Sequence, residues 1–309
     1  MVDRGTKLWR DGNILSWDTE GKVSLLTHTL HYGLGAFEGI RAYRRASGDS
    51  FIFRLGEHVI RLFDSCRLVF MTPRVTPAAV ADGCRAVLRE NGMEEGYLRP
   101  LVILGDGAMG LLPADNPVET YVMAWKWGAY LGAEGLDRGI RCKISSFARA
   151  RPNTALLRGK LIGQYVTSTL AKQEAKAGGY DEALLLDANG MVSEGSGENI
   201  FAVHGGEIVT PPSSAAILPG ITRDTVMILA REEGLRVREE HLTRDALYLA
   251  DEVFLTGTAA EVTPVREIDD RSIGGGARGD VTRRLQERYF DLVRGKDDSH
   301  PEWLTRVRD

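Results

Sequence analysis

The sequence predicts a two-domain protein of the mixed α/β (α+β) class. Its 309 residues are 43% hydrophobic and 27% charged, values typical of globular chains, so a disordered or collagen-like protein is excluded. Strand-like segments joined by turns come first along the chain, and segments with helical periodicity follow them. A second set of strands and helices begins near residue 140, after a stretch rich in glycine and aromatic residues.

The N-terminal part is predicted to contain two hairpins followed by two helices. The turn signals Asp11-Gly12-Asn13 and Ala46-Ser47-Gly48-Asp49 each separate two short β segments. Residues 56–70 place their apolar side chains, Phe70 included, on one stripe, which predicts a helix. A second helix is predicted to start at Thr76-Pro77, because a capping residue followed by proline is typical of a helix start.

A strand is predicted over residues 97–105, with Pro100 favouring an edge position or a bulge. The next segment, residues 124–139, has neither helical nor strand periodicity. The predicted elements of the second part are helices over 161–176, 222–233 and 281–293 and strands over 183–186, 199–203, 207–210 and 253–256. The sequence thus predicts a small N-terminal domain over residues 1–124, an interdomain loop over 125–139 and a larger C-terminal domain over 140–309.

Charge and cysteine usage exclude several classes of protein. The chain has 39 basic and 43 acidic residues, so no basic field attracts nucleic acid, and no block of lysine and arginine marks a membrane surface. Three widely spaced cysteines form neither a disulfide framework nor a metal motif. The first residues contain no apolar signal segment. We therefore expect a cytoplasmic protein without nucleic-acid or membrane partners.

Lys160 is the lysine best suited to form a Schiff base. The chain has only eight lysines, and Lys160 follows a loop-like segment and precedes the predicted apolar helix 161–176. A helix N-terminus and burial both disfavour a cation, so both lower the pKa of an amine, as a nucleophilic lysine requires. The alternative is an ordinary surface lysine at a helix start.

Two short turns are suited to bind a phosphate group. Residues 218–224 open a predicted helix and residues 255–259 end a predicted strand, and both contain small residues and hydroxyl groups. Arg61 could pair with the phosphate, and Glu194 could accept a hydrogen bond from a pyridinium N–H. The alternatives are an ordinary capped helix, a solvent-exposed arginine and an exposed turn glutamate. The sequence contains no metal-binding, P-loop, Rossmann or GxSxG motif, so no metal site is predicted.

Several blocks in a fixed order resemble the branched-chain amino-acid aminotransferases of the fold-type IV pyridoxal-phosphate enzymes. The resemblance covers nearly the whole chain and implies a small N-terminal α/β domain, an interdomain loop and a larger C-terminal pseudo-barrel domain. The blocks are LHYGLGAFEGIRAY (30–43), EHVIRLFDS (57–65), YLRPLVILGDGAMG (97–110), WGAYLG (127–132), PNT, GK and QY within 152–165, SEGSGENIF (193–201), LPGITRD (218–224) and LYLADEVFLTGTAAEVTPV (247–265).

The resemblance implies pyridoxal 5'-phosphate as the cofactor. It implies that Lys160 forms the Schiff base and moves the proton, that Glu194 pairs with the pyridine nitrogen and that Tyr165 contacts the phenolic oxygen. The residues implied to bind the phosphate group are Arg61, Ile221, Thr222 and Thr258.

The resemblance also implies a substrate site shared between two subunits. Thr258, Ala259 and Tyr97 are implied to bind the α-carboxylate. The residues implied to form the apolar side-chain pocket are Phe37, Trp127, Tyr130 and Ala259. Those implied to come from the neighbouring subunit are Tyr32, Met109 and Leu111, so a homodimer is the minimal active unit and a hexamer is an alternative assembly. Arg99, with Tyr32 and Tyr130, is implied to accept the γ-carboxylate of glutamate.

The sequence therefore predicts transamination of leucine, isoleucine and valine with 2-oxoglutarate. Alternatives within the same fold are a D-amino-acid or (R)-amine transaminase and an aminodeoxychorismate lyase. A cofactor-carrying binding protein without turnover is disfavoured, because it would not need Arg99. The chain departs from the family pattern around the lysine, at Arg158, Leu161, Ile162 and Gln164, which affects the expected substrate range rather than the Schiff base.

Overall fold

The computed structural model describes residues 3–113, 115–128 and 131–308. The chain divides into two compact units, one formed by Met1–Trp127, Gly159–Gln164 and Leu292–Asp309 and the other by Gly128–Arg158 and Tyr165–Asp291. These units are defined by contacts and not by independent folding, so the domain boundaries predicted from the sequence stay a prediction.

The first unit is built on an antiparallel sheet. Its strands are β1 (Asp3–Arg4), β2 (Lys7–Arg10), β3 (Asn13–Ser16), β4 (Gly35–Phe37), β5 (Ile40–Arg44), β6 (Ser50–Phe53), β7 (Gly96–Leu104), β8 (Val118–Lys126) and the C-terminal strand Leu304–Arg306. In the described residues the order is C-terminal strand, β6, β5, β7, β8, β2 and β3, with β1 beside β8 and β4 beside β7. Both predicted hairpins, β2–β3 and β5–β6, are confirmed.

Two long helices cover one face of this sheet. The helices of the first unit are α1 (Trp17–Glu20), α2 (His28–Tyr32), α3 (Leu55–Leu68) and α4 (Pro77–Glu90). Leu62 and Cys66 of α3 and Val87 of α4 are buried in a common core with Leu98 and other strand residues. The predicted placement of Phe70 on the buried stripe is wrong: its side chain is 98% exposed, because α3 ends at Leu68 and Phe70 takes a left-handed conformation, with φ 58°.

The prediction of an edge strand or a bulge at Pro100 is also wrong. Strand β7 pairs with β8 without a register shift from Tyr97 to Leu104. On its other side β7 pairs with β5 up to Leu98, which lies opposite Ile40, and with β4 from Leu101, which lies opposite Phe37. Pro100 therefore lies where β7 changes partner, and its carbonyl accepts a hydrogen bond from the Glu38 N–H at 2.8 Å. A proline without an N–H is tolerated at such a gap between two ladders.

The second unit contains a mixed sheet. Its strands are β9 (Ile140–Ala148), β10 (Glu182–Leu186), β11 (Val192–Gly195), β12 (Asn199–His204), β13 (Glu207–Thr210), β14 (Val237–Glu239), β15 (Glu252–Gly257), β16 (Glu261–Ile268) and β17 (Arg271–Ser272). Among the described residues the order is β11, β10, β9, β16, β15, β12, β13 and β14, with β17 beside β16. The pairs β9–β10, β9–β16 and β13–β14 are parallel. This sheet encloses a core that includes Leu184, Ile200 and Leu255.

The remaining helices are α5 (Ala133–Arg138), α6 (Tyr165–Ala177), α7 (Ile221–Glu232), α8 (Arg244–Tyr248) and α9 (Asp280–Val293). The predicted start of α6 at residue 161 is wrong. Leu161 forms a bridge with Ala36, and the Gly163 N–H donates to the Gly33 carbonyl at 3.0 Å, so this segment extends the first unit before α6 begins at Tyr165. None of the described helices is long and apolar enough to cross a membrane.

Candidate active site

Lys160 is anchored through its backbone. Its N–H donates to the Ser65 Oγ at 2.9 Å, and its carbonyl accepts from the Phe37 N–H at 3.1 Å. The Ser65 hydroxyl in turn donates to the Arg61 carbonyl at 2.8 Å. The Lys160 Nζ lies 5.1 Å from the centre of the Phe37 ring. Because α6 begins only at Tyr165, Lys160 does not lie at the start of that helix, and the backbone contacts with Ser65 and Phe37 define its position instead.

Arg61 is held by a buried carboxylate that the sequence argument missed. Its Nε and Nη2 donate to the two oxygens of Glu38 at 2.7 and 2.9 Å, and Glu38 is fully buried. Burial alone would raise the Glu38 pKa, but the Arg61 charge and the hydrogen bonds from Arg61 and His58 hold that pKa well below its usual range. This bidentate contact fixes the plane of the guanidinium against a buried carboxylate. The alternative, that Arg61 is an ordinary solvent-exposed arginine, is therefore wrong.

His58 completes this buried group. Its Nδ1 lies 2.7 Å from Glu38 Oε2, and its side chain is 2% exposed. Burial lowers the His58 pKa, and the Arg61 and Lys160 cations lower it further, against the opposing effect of Glu38. The imidazole is therefore neutral at pH 7, and its Nδ1–H donates to the carboxylate. The sequence signal for this group was that Glu38 is the one acidic residue of the block LHYGLGAFEGIRAY.

Arg99 lies among aromatic rings on the sheet face opposite α3 and α4. Strand alternation directs Leu98 toward the helix-covered core and places Tyr97 and Arg99 on the other face. The guanidinium carbon is 4.6 Å from the Phe37 ring centre, 5.5 Å from that of Tyr97 and 5.4 Å from that of Trp125. The Arg99 Nε is buried and has no hydrogen-bond partner among the described residues.

Trp127 extends the same aromatic surface. Its ring packs edge-on against Tyr97 with the ring centres 4.6 Å apart. Its carbonyl accepts a long hydrogen bond of 3.4 Å from the Arg41 Nη1. Tyr130, which the resemblance placed in the same pocket, lies outside the described residues.

The residues that the resemblance assigns to a neighbouring subunit are exposed. The accessible fraction is 45% for Tyr32, 43% for Met109 and 89% for Leu111. Helix α2, which carries Tyr32, is joined to the loop that carries Met109 and Leu111, because the His28 N–H donates to the Gly105 carbonyl at 3.2 Å and the His28 Nε2 lies 2.8 Å from the Gly110 carbonyl. Further exposed apolar residues of the same two segments are Leu25, Leu26, Leu30 and Leu112. We call these seven exposed residues the apolar rim patch.

Glu194 is a buried ion-pair partner in the second unit. It is 6% exposed, so the alternative of an exposed turn glutamate is wrong. One carboxylate oxygen is 2.7 Å from the Arg149 Nη2, and the other accepts from the Asn199 side chain at 3.1 Å and from the Leu218 N–H at 3.0 Å. This arrangement holds Glu194 as an anion, suited to accept a hydrogen bond from a cationic ring nitrogen. No motif in the sequence indicated Arg149 as the partner of Glu194.

The predicted phosphate-binding residues of the second unit lie at element ends. Ile221 and Thr222 form the buried first turn of α7, whose N-cap is Gly220 and therefore carries no capping side chain. Thr258 and Ala259 directly follow β15 and are half-buried. Tyr165 is the half-buried first residue of α6. Backbone N–H groups at a helix start suit an anion.

The predicted site residues thus fall into two sets. The first unit carries Tyr32, Phe37, Arg61, Tyr97, Arg99, Met109, Leu111, Trp127 and Lys160. The second unit carries Tyr165, Glu194, Ile221, Thr222, Thr258 and Ala259. Within the described ranges, no group of three or more histidine, cysteine or acidic side chains is placed to hold a metal ion.

Comparison with known proteins gives consistent results over the full chain. Residues 35–268 match the family described as amino-transferase class IV. A branched-chain-amino-acid aminotransferase of Pseudomonas aeruginosa is 49% identical over 100% of this chain and 99% of its own length. The corresponding enzyme of Escherichia coli K12 is 44% identical over 97% of each chain.

Solved structures agree with the sequence relatives. The crystal structure of the Escherichia coli branched-chain amino acid aminotransferase has a TM-score of 0.96 at 43% identity and covers 98% of this chain and 100% of its own. The T.th. branched-chain amino acid aminotransferase with pyridoxamine 5'-phosphate has a TM-score of 0.95 at 46% identity and covers 100% of both chains. The predicted fold-type IV architecture is confirmed by this agreement, and the chain belongs to the class IV aminotransferase family.

Proposed function

We propose that the protein transfers the amino group of leucine, isoleucine and valine to 2-oxoglutarate, with pyridoxal 5'-phosphate as cofactor. Relatives of 44% and 49% identity named branched-chain-amino-acid aminotransferases, matched over nearly their whole length, support this assignment. The observation that carries it is the Arg99 guanidinium enclosed by three aromatic rings, because it combines an apolar surface with one fixed positive charge.

This combination answers a physical problem set by the reaction. The same site must accept a branched apolar side chain and then the γ-carboxylate of 2-oxoglutarate. Burying an unpaired carboxylate is costly, and Arg99 offsets this cost by pairing with it. Phe37 and Trp127 supply apolar surface for the branched side chain, and we assign Tyr32 and Tyr130 to the polar rim.

The cofactor assignment agrees with the residues present. Bound pyridoxal phosphate supplies an electron sink for the bonds at the substrate Cα. Lys160 attaches the cofactor and moves the proton at Cα, and Glu194 accepts the hydrogen bond of the pyridine nitrogen. Tyr165 contacts the phenolic oxygen. The phosphate is assigned to Arg61, which Glu38 holds in place, and to Ile221, Thr222 and Thr258. Thr258, Ala259 and Tyr97 are assigned to the α-carboxylate.

An absorption experiment tests the proposed function. L-Leucine added without any keto acid should convert the visible band of the purified protein into the absorption of the pyridoxamine form. A cofactor band that L-leucine leaves unchanged would move the assignment to a D-amino-acid or (R)-amine transaminase or to a lyase. A protein that stays colourless with added pyridoxal phosphate would overturn the proposal.

We also propose a homodimer as the minimal active unit. The apolar rim patch supports it, since a concentration of exposed large apolar side chains on neighbouring segments is typical of an interface. Light scattering should give a mass of twice the 34.0 kDa of one chain, or a higher even multiple such as a hexamer. A mass of one chain at the concentration used for activity would contradict the proposal. The three free, buried cysteines agree with a cytoplasmic location, which stays a prediction.

A further inference from the structure

Three carboxylates are buried close together in the second unit, beside the residues that we assign to the cofactor. Glu182 begins β10, Glu194 lies in β11 and Glu198 directly precedes β12. They are 0%, 6% and 4% exposed. Three buried negative charges in one region would be costly, so the partners of each carboxylate decide which of them are ionised.

Two of the three are fully partnered anions. The Lys172 ammonium contacts Glu182, which also accepts from the Ala183 N–H at 2.8 Å and from the Ser196 hydroxyl at 2.6 Å. Glu194 has its ion pair with Arg149 and two further donors, as described above. Each of these carboxylates has one cation and at least two hydrogen-bond donors.

Glu198 differs from both. Its carboxylate accepts one hydrogen bond among the described residues, from the Gly197 N–H at 3.1 Å, and it has no ion-pair partner there. We propose that Glu198 is held as a neutral carboxylic acid at neutral pH and acts as a positioning residue for Glu194 and for the turn of Thr258 and Ala259. The positioning role rests on the proposed function, whereas the protonation state does not.

The surrounding charges explain why the proton stays on Glu198. Burial, followed by the Glu182 charge and with a smaller effect of Glu194, raises the Glu198 pKa to about 8, although Lys172 and the Gly197 N–H oppose the shift. The nearby Cys142 thiol stays neutral and adds no further negative charge. Burial, followed by the effects of Glu182 and Glu198, raises its pKa well above the usual value. The groups that face Glu198 are therefore Glu182, Glu194, Lys172 and Cys142.

Contacts with two glycines link Glu198 to the proposed cofactor residues. The Gly195 N–H donates to the Glu198 carbonyl at 2.7 Å, and a Cβ at Gly195 would lie only 2.7 Å from the Glu198 Oε2. The Glu198 Cγ would lie 3.6 Å from a Cβ at Gly257. Gly195 follows Glu194 and Gly257 precedes Thr258, so the Glu198 side chain packs between the two segments. An ionised carboxylate at this position would favour hydration, and the entry of water would loosen the packing of both segments against the Glu198 side chain.

The sign of the pH dependence follows from linkage. The pKa of the Glu198 carboxyl is 4.5 in the unfolded chain and about 8 in the folded protein. Between these values the folded state holds one more proton, so stability falls as the pH rises and levels off above the folded pKa. A variant with an amide at this position lacks this dependence.

The test compares Glu198→Gln with the matched control Glu182→Gln in the cofactor-loaded protein. From about pH 6 to about pH 7, the unfolding equilibrium constant of the parent should rise about tenfold relative to that of Glu198→Gln, and the rise should become smaller as the pH approaches about 8. Glu198→Gln should also match or exceed the parent in melting temperature at pH 7. Glu182→Gln should melt at a lower temperature at every pH in this range, because it leaves Lys172 without its carboxylate. The proposal that Glu198 is a neutral acid would be overturned if Glu198→Gln were as destabilised as the control and its stability differed from that of the parent by the same amount at every pH.

Cofactor release provides the readout for the positioning role. The dissociation constant of pyridoxal phosphate, measured by its absorption, should rise with pH more steeply in the parent than in Glu198→Gln. Parallel profiles would refute the positioning role. If neither protein binds the cofactor, the proposed function fails, and the same melting series on the cofactor-free proteins decides the protonation state.

Discussion

Replacing Lys160 with alanine should lower kcat for L-leucine and 2-oxoglutarate by at least about 10⁴-fold, because the proposed reaction loses both its covalent attachment point and its proton carrier. The fold should persist, since the Ser65 hydroxyl and the Phe37 N–H bind the backbone of residue 160, which the substitution keeps. Steady-state kinetics, the visible absorption band and circular dichroism measure the three consequences.

The matched control is Lys176→Ala, which removes an exposed lysine near the end of α6. This control should keep parental kinetics and the cofactor band. Normal turnover in Lys160→Ala would contradict the assigned role of the lysine. Loss of the circular dichroism signal in Lys160→Ala would show that the side chain is needed for folding, against the expectation.

Replacing Arg99 with alanine should affect the two half-reactions unequally. A hydrogen bond to a charged group contributes about 1.5–3 kcal/mol, so single-turnover reaction with 2-oxoglutarate should slow by about 10- to 150-fold. The half-reaction with L-leucine should change much less, because its side chain forms no ion pair. Rapid-mixing absorption measurements follow each half-reaction separately.

Arg99→Lys separates charge from geometry. Lysine keeps the positive charge but lacks the planar group that stacks between the Phe37, Tyr97 and Trp125 rings. We expect it to recover only part of the 2-oxoglutarate rate. Equal losses in both half-reactions of Arg99→Ala would refute the assignment of Arg99 to the γ-carboxylate.

Local patterns in the sequence predicted much of the fold. The apolar stripe of α3, the capped start of α4 and the turns of both N-terminal hairpins depend on residues a few positions apart, and these predictions are confirmed except at Phe70. Two of the errors, at Pro100 and at residues 161–164, occurred where distant segments decide the outcome. Pro100 is accommodated by a change of strand partner, and residues 161–164 pair with the segment around Gly33 instead of starting a helix.

The same distinction applies to the candidate site. The roles of Lys160, Arg61 and Glu194, and of the turns at residues 218–224 and 255–259, could be proposed from residue type and neighbouring sequence, and family resemblance added the others. The groups that hold them could not, since Ser65 is 95 residues from Lys160 and Glu38 is 23 residues from Arg61. Whether a glutamate is buried and paired, as Glu38 and Glu194 are, depends on the packing of several elements, which one sequence does not reveal.

The first unit combines segments from the beginning and from the end of the sequence, and this has a consequence for biosynthesis. Its sheet includes Leu304–Arg306, which pairs with β6, and the Arg54 N–H donates to the Trp303 carbonyl at 2.6 Å. Domains generally fold as their residues leave the ribosome, N-terminal parts first. Here the edge of β6 that receives Leu304–Arg306 stays unpaired until nearly the whole chain has been translated. The nascent chain must therefore keep a strand edge open while the residues of the second unit emerge.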